Sequence, residues 1–340
     1  MKASRKPSAA VPCAKRALAS LGALLLAAVA APGAARAEAM PKLDFGGSVT
    51  WLGQVPIMVA VDKGFFKEEG LDVGYQVILA SSDRIAALTS GAVAFSNLGR
   101  SAVVAQMARG NKSFYYFANI DQAPGNEGCW ARPAITSLAE ARGKKIAANT
   151  SAEITMDGLL QTAGMSKRDI DYLDIPPNEM VAALTKGDVD AVCVWQPFLG
   201  AAEKAVPNGH LLGLDTDTES YKRYQTTASA DILIISSKLV DEHPDEARKL
   251  AAAIFKGVDF ANTHQKETAE TVAHYFHQTP EEVLAGMKTF RYIGLAGWPA
   301  HMERQVKQMQ NLAEWLHANQ KIGTVPDVAK WENVSFLPAP

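Results

Sequence analysis

From about residue 45 onward the chain alternates, segment by segment, between apolar spacings of two and of three to four residues, and that alternation predicts layered α/β architecture. Met58, Val61 and Phe65 fall at helical spacing, and Gly70 closes that helix before Val73, Tyr75 and Val77 alternate as a strand. A first strand is expected at Ser48 to Thr50. Ile85 and Leu88 then line a helix stopped by Gly91, Val93 and Phe95 mark a strand, Ser101 to Arg109 reads as helix up to Gly110, and Phe114 to Ile120 as strand.

A second run of the same kind follows the connection from Pro133 to Arg142. It places strands at Lys145–Ala148, Asp171–Ile175 and Val189–Val194, with helices at Ala152–Ala163, Asn178–Lys186 and Phe198–Ala205. The halves share a rhythm without being a literal repeat. Two lobes are therefore expected, the chain passing into the second near Cys129 and returning through Ala228 to Ile235. Residues 38–130 and 237–340 would form lobe 1 and residues 131–236 lobe 2. From Pro244, at a helix first turn, the remainder reads as all-helical and packs back on lobe 1.

The amino end is of a different kind. Lys2, Arg5, Lys6, Lys15 and Arg16 precede an uncharged Ala/Leu-rich stretch from Ala17 to Ala31, and Ala35-Arg36-Ala37 supplies small residues for cleavage before Glu38. Residues 1–37 thus read as a cleavable secretory signal, which predicts export to the periplasm. A retained anchor is the alternative, but the stretch is short for a bilayer span. Cys13 lies before the apolar stretch, where it cannot serve as a lipid anchor. The 303 residues after the signal hold 28 basic and 36 acidic side chains, a charge of −8, which argues against nucleic acid as a partner. Cys129 and Cys193 are expected as small buried residues in strands; a single disulfide between them stays open in an oxidising compartment.

Several ordered segments carry a resemblance. They are Lys63-Gly64-Phe65-Phe66-Lys67-Glu68-Glu69-Gly70-Leu71, Ala87-Leu88-Thr89-Ser90-Gly91, Asn97-Leu98-Gly99, Gly143-Lys144-Lys145-Ile146-Ala147 and Leu184-Thr185-Lys186-Gly187-Asp188-Val189-Asp190-Ala191. Together they resemble the nitrate/sulfonate/taurine group of periplasmic binding proteins over nearly all of the mature chain. Asn97-Leu98-Gly99-Arg100-Ser101 and Val194-Trp195-Gln196-Pro197 are most similar to the taurine binders. Arg100 and Gly128-Cys129-Trp130 depart from their pattern. The resemblance implies a two-lobed, type II-like periplasmic binding protein with its ligand cleft between the lobes. It also implies a role as the binding component of an ABC importer: a monomer that captures a small anionic or zwitterionic solute and hands it to a membrane permease. Taurine or a related short sulfonate is the expected ligand. Aliphatic sulfonates, nitrate, bicarbonate and pyrimidines are the alternatives within the group.

Candidate ligand residues cluster where strands turn into helices, the places at which open α/β sheets collect ligands. Thr150, Ser151, Ala152, Glu153 and Thr155 open a helix, whose exposed N–H groups make a natural anion seat; the competing reading of Ser151 is a plain N-cap. Ser81 and Ser82 begin one helix and Leu98, Gly99 and Arg100 another, Arg100 being the cation suited to a sulfonate by forked hydrogen bonds. Trp51, Gln54, Trp195 and Gln196 follow strands and would wall a short carbon chain. From the resemblance, Glu127 and Asp231 are expected to receive an ammonium group.

No catalytic residue, cofactor or metal is called for. The remaining cysteines lack metal-ligand spacing, and His264, His274, His277, His301 and His317 read as solvated or capping. A related enzyme, similar to thiamine-pyrimidine synthases, and the sensing lobe of a transcription regulator are the rival classes; the first needs a cysteine-rich metal stretch and the second a DNA-binding motif.

Overall fold

A computed structural model describes residues 42–149, 151–227 and 230–339. The segment expected to be a secretory signal, Thr150 and Ala228 lie outside the described residues. Among the described residues the strands are β1 (Phe45–Gly47), β2 (Tyr75–Val77), β3 (Phe95–Gly99), β4 (Phe114–Ala118), β5 (Asp121–Gln122), β6 (Glu127–Ala131), β7 (Lys145–Ala148), β8 (Asp171–Asp174), β9 (Ala191–Trp195), β10 (His210–Leu214), β11 (Asp231–Ser236) and β12 (Arg291–Tyr292). The first falls just before the expected Ser48–Thr50, because the Ser48 backbone N–H is taken by the Gln54 side chain, not by a neighbouring strand.

The strands form two five-stranded sheets with the same plan. The first has the order β2-β1-β3-β11-β4, and the second, read from its β8 edge, is β8-β7-β9-β6-β10. In each, the first three and the fifth strands run in one direction and only the fourth runs against them. Parallel strands need helical crossovers, which supply the intervening helices Ser81–Ser90 and Pro177–Lys186.

Each fourth-position strand arrives from the other half of the chain. β6 leaves the first sheet and pairs with β9 and β10, while β11 returns and enters between β3 and β4. This corrects the boundaries read at 130/131 and 236/237: residues 127–130 belong with the second sheet and residues 231–236 with the first. Apolar runs mark where a strand lies, but its hydrogen-bond partners decide which sheet owns it.

The core beneath the first sheet is aromatic, with Phe45, Phe95, Phe114, Tyr116 and Phe117 essentially inaccessible. The Pro244–Thr263 and Trp298–Ala318 helices pack onto this lobe, as expected of the C-terminal third, although that third also contributes β12, paired with β5. Gly257 permits the closest approach. A Cβ there would lie 2.2 Å from the Pro56 carbonyl oxygen, so only glycine lets this helix lie on Val55–Asp62.

Cys129 and Cys193 are directly opposite in β6 and β9, buried, and joined as a disulfide. The alternative left open by sequence is thus the one observed. The bond closes a loop with a sequence separation of 64 residues, for which chain-entropy reasoning gives about 4 kcal/mol. Replacing both cysteines with alanine is expected to lower the unfolding free energy by about that amount in urea titration. An unchanged midpoint would show that the bond adds nothing to stability.

Candidate functional site

The sheet order fixes where a cleft can form. In the first sheet β1 sits between β2 and β3, so the crossovers depart to opposite sides, and the loops after β1 and β3 part at their carboxyl ends. The second sheet repeats this with β7 between β8 and β9. The antiparallel strands begin at these same ends: Asp231 of β11 stands opposite Gly99, and Glu127 of β6 opposite Trp195. The two switch points bound a cavity of about 520 Å³.

Ten of the residues singled out by sequence line that cavity: Trp51, Gln54, Ser81, Gly99, Arg100, Glu127, Ser151, Glu153, Trp195 and Asp231. Five do not. Leu98 and Ala152 are core residues, Thr155 is buried away from the cavity, Ser82 is exposed beside Asp83, and Gln196 is exposed with its side-chain oxygen on the Gly200 N–H. Periodicity accounts for Leu98 and Thr155: successive side chains alternate between faces in β3, and in the Glu153–Thr162 helix a residue two positions on from Glu153 is turned well away from it.

The expected anion seat at residues 151–155 is filled from within. The N–H groups of Ser151 and Ala152 donate to the Asn149 side-chain oxygen, and that of Glu153 to the Asn149 carbonyl. Glu153 itself pairs with Lys167 and, at 2.9 Å, with Lys321. Burial works to raise its pKa, but the two lysines prevail and hold it below the usual range. The start of the Arg100–Ala108 helix differs: no side chain caps it, and Gly99, Arg100 and Ser101 line the cavity.

Arg100 is not the forked receptor that the sequence suggested. It is 1 % exposed, and its Nη1 donates to Thr227 O at 2.8 Å and to Gln308 Oε1 at 2.7 Å, with Nη2 at 3.3 Å from Thr226 Oγ1. Burial lowers its pKa to about 9. The same network includes His301, whose Nε2 lies 2.7 Å from Asn119 Oδ1; burial and the nearby arginines push its pKa down to about 3, so it is a neutral internal residue, neither solvated nor a cap.

One cation that sequence reasoning missed is Arg84, on the first turn of Ser81–Ser90. It is 5 % exposed and lines the cavity. Nη2 donates to Ser81 Oγ at 3.0 Å, whereas Nε and Nη1 are buried with no hydrogen-bond acceptor. Its charge is opposed by Asp231. An arginine three residues into an amphipathic helix looks like a solvated surface residue, and only the fold turns it inward. Trp315, Leu316, Lys321 and Ile322, also missed, reach the cavity from the carboxyl end of the chain.

Of the acids near the site, Glu127 and Asp231 line the cavity, while Asp121 and Asp215 are buried outside its lining. Asp121, fully buried, accepts from Trp51 Nε1 at 3.0 Å and from Asn97 Nδ2 at 3.4 Å. Gly53 makes this possible, since a Cβ there would lie 2.2 Å from Trp51 Nε1. Burial and mutual repulsion raise the pKa of Asp121, and burial raises that of Asp231 against the pull of Arg84, Gln54 and Arg100. Across the cleft, burial and Glu127 push Asp215 up to about 7.

The profile of the NMT1/THI5-like family matches residues 52–268, close to two thirds of the chain. The chain belongs to that family. The taurine-binding periplasmic protein of Escherichia coli (strain K12) is 25% identical over 199 residues, covering 58% of this chain and 60% of its own. A Brucella abortus (strain 2308) protein named only for a binding role is 24% identical over 255 residues, 74% of this chain and 77% of its own. In structure, the alkanesulfonate-binding protein of Xanthomonas axonopodis pv. citri bound to MOPS superposes with a TM-score of 0.66 at 18% identity, over 87% of this chain and 99% of the other. The fold is that of the periplasmic binding proteins, and the resemblance read from the sequence holds. No helix among the described residues is long and apolar enough to cross a membrane.

The contrast between the two arginines is measurable. Arg100→Met strips buried acceptors of a charged donor and should lower the unfolding free energy by about 3 kcal/mol. Arg84→Met removes a buried charge with two unmet donors and should change stability by less than about 1 kcal/mol in either direction. Equal losses in denaturant titration would contradict this division of roles.

Proposed function

We propose that the protein is the solute-binding component of an ABC-type importer, exported to the periplasm, where as a monomer it captures an organosulfonate between its lobes and presents it to the membrane permease. The observation that carries this reading is Arg84: two N–H donors, buried and without acceptors, line a cavity that also holds the uncapped start of the Arg100–Ala108 helix. A buried donor without an acceptor costs about 1–3 kcal/mol, more when charged. An anion that supplies the acceptors recovers that cost. A sulfonate, with three oxygens and a charge independent of pH near neutrality, suits both an arginine and a helix start.

Taurine is the favoured ligand because Asp231 and Glu127 line the same cavity. A simple anion at Arg84 would draw the guanidinium from Asp231 and leave that carboxylate uncompensated; an ammonium on the ligand restores the balance. Contact with both lobes would favour the closed form, and closure would display the surface that the permease reads. A second reading, a larger sulfonate, is supported by the cavity volume of about 520 Å³ and by the walls of Trp51, Trp195 and Trp315, which give more apolar surface than a two-carbon ligand fills.

Calorimetry of the purified protein against taurine, longer alkyl and aryl sulfonates, nitrate and pyrimidines tests these readings. Arg84→Gln should weaken binding of every sulfonate by about 30-fold or more, the effect of a lost charged hydrogen bond in a desolvated site. Asp231→Asn should weaken taurine far more than a sulfonate lacking the amine. Binding of a pyrimidine alone, or full sulfonate affinity in Arg84→Gln, would end the proposal.

The acids also set a pH dependence. The pKa values of Asp121 and Asp231 are raised in the free protein, so part of the pair holds a proton near neutrality. An ammonium favours the ionised form, so taurine binding should release protons and tighten as pH rises from about 5 to about 8, with a heat that depends on the buffer's ionisation enthalpy. A sulfonate without an amine should show no such tightening. Identical pH profiles for the two ligands would exclude an ammonium beside these acids.

A further inference from the structure

The cavity is closed on one side by a contact between the lobes that involves no ligand. Glu153, Ile154 and Asp157 lie at positions i, i+1 and i+4, so they share one face of the Glu153–Thr162 helix, which belongs to the second lobe. All three meet the first lobe. Lys321, just beyond the Trp298–Ala318 helix, reaches Glu153 at 2.9 Å; Trp315 Nε1 donates to Asp157 Oδ2 at 2.5 Å; and Ile154 packs against the first lobe's apolar core. Trp315, Lys321 and Glu153 also line the cavity, so the contact sits at its wall.

From this geometry we infer that Trp315 and Lys321 form a clasp that holds the lobes together without ligand, and so act as positioning residues that set how tightly the cleft binds whatever anion it takes. Each acid in the clasp has a second partner in its own lobe. Glu153 keeps Lys167, and Asp157 Oδ2 also accepts from Gln161 Nε2 at 2.9 Å. Releasing the clasp therefore orphans neither buried carboxylate, which makes the contact reversible instead of a fixed part of the fold. Affinity for a ligand that needs the closed form is multiplied by the fraction of protein already closed, so a clasp that raises that fraction strengthens binding in addition to any contact its residues make with the ligand.

Lys167 provides the internal control, since it too pairs with Glu153 but does not cross between lobes. Small-angle scattering of the ligand-free protein should show a larger radius of gyration for Lys321→Met with Trp315→Phe than for the parent, and an unchanged one for Lys167→Met. Circular dichroism and the thermal midpoint verify folding. If the double variant fails to fold, Lys321→Met alone is read in the same way, because that lysine is on an exposed loop. Calorimetry with taurine and a longer alkyl sulfonate should show the clasp variants binding about three- to tenfold more weakly. The scattering arm uses no ligand, so a protein that binds no sulfonate would overturn the functional proposal and leave this one standing. An unchanged radius in the clasp variants, or equal expansion in Lys167→Met, would overturn the clasp.

Discussion

Strand β11 enters the first sheet antiparallel between β3 and β4, which sets Asp231 opposite Gly99 at the carboxyl edge of that sheet. β6 does the same in the second sheet and sets Glu127 opposite Trp195. Because each strand arrives from the other half of the chain, the two passages between lobes end at the cleft itself. A shift of one residue in either register would turn its acid to the other face of the sheet. The antiparallel insertion therefore couples fold and site: the pairing that closes each sheet also delivers a carboxylate to the cavity.

Burial then sorts the charges. Arg100 and Arg84 are both nearly inaccessible, yet their surroundings differ in kind. Thr226, Thr227 and Gln308 supply neutral acceptors to Arg100, and Asn119, with its side-chain N–H groups on the carbonyls of Asp121 and Asp231, continues the same network to the acids. That network fixes the returning chain just before β11. Arg84 has Ser81 and the field of Asp231, and two donors left over. Arg100 has acceptors on both terminal nitrogens and only Nε without one, and it stabilises the frame; Arg84 has two nitrogens without acceptors at the cavity wall.

Much of the architecture was legible because it depends on local pattern. Lys145–Ala148 is a strand of the expected bounds, the Phe198–Ala205 helix likewise, and Gly91 and Gly187 end their helices in the left-handed conformation that favours glycine. Edge strands β10 and β12 were not, since short segments with exposed positions lack a clear period. In the site, strand-to-helix turns pointed to the correct regions, while assigning individual residues required knowing which way each faces. Arg100 stands in a motif, Asn97-Leu98-Gly99-Arg100-Ser101, that draws attention to it. Arg84 stands in an ordinary-looking helix, and no local signal distinguishes a surface arginine from one that a sheet edge encloses. Trp315 and Lys321 lie over 150 residues from the acids that they meet, a separation that spacing alone does not bridge.

That long-range contact bears on how the two lobes can move. Opening a cleft is costly when it strands a buried charge, and the penalty for an uncompensated carboxylate would make the closed form permanent. Here Glu153 retains Lys167 and Asp157 retains Gln161 when the lobes part, while Lys321, already on an exposed loop, is released toward water. To the balance between open and closed the proposed clasp brings an ion pair, one indole hydrogen bond and the burial of Ile154, contributions of about 1 kcal/mol each. A bias of that size is small enough for a bound anion at Arg84 to control, and large enough to keep the empty protein from standing open throughout.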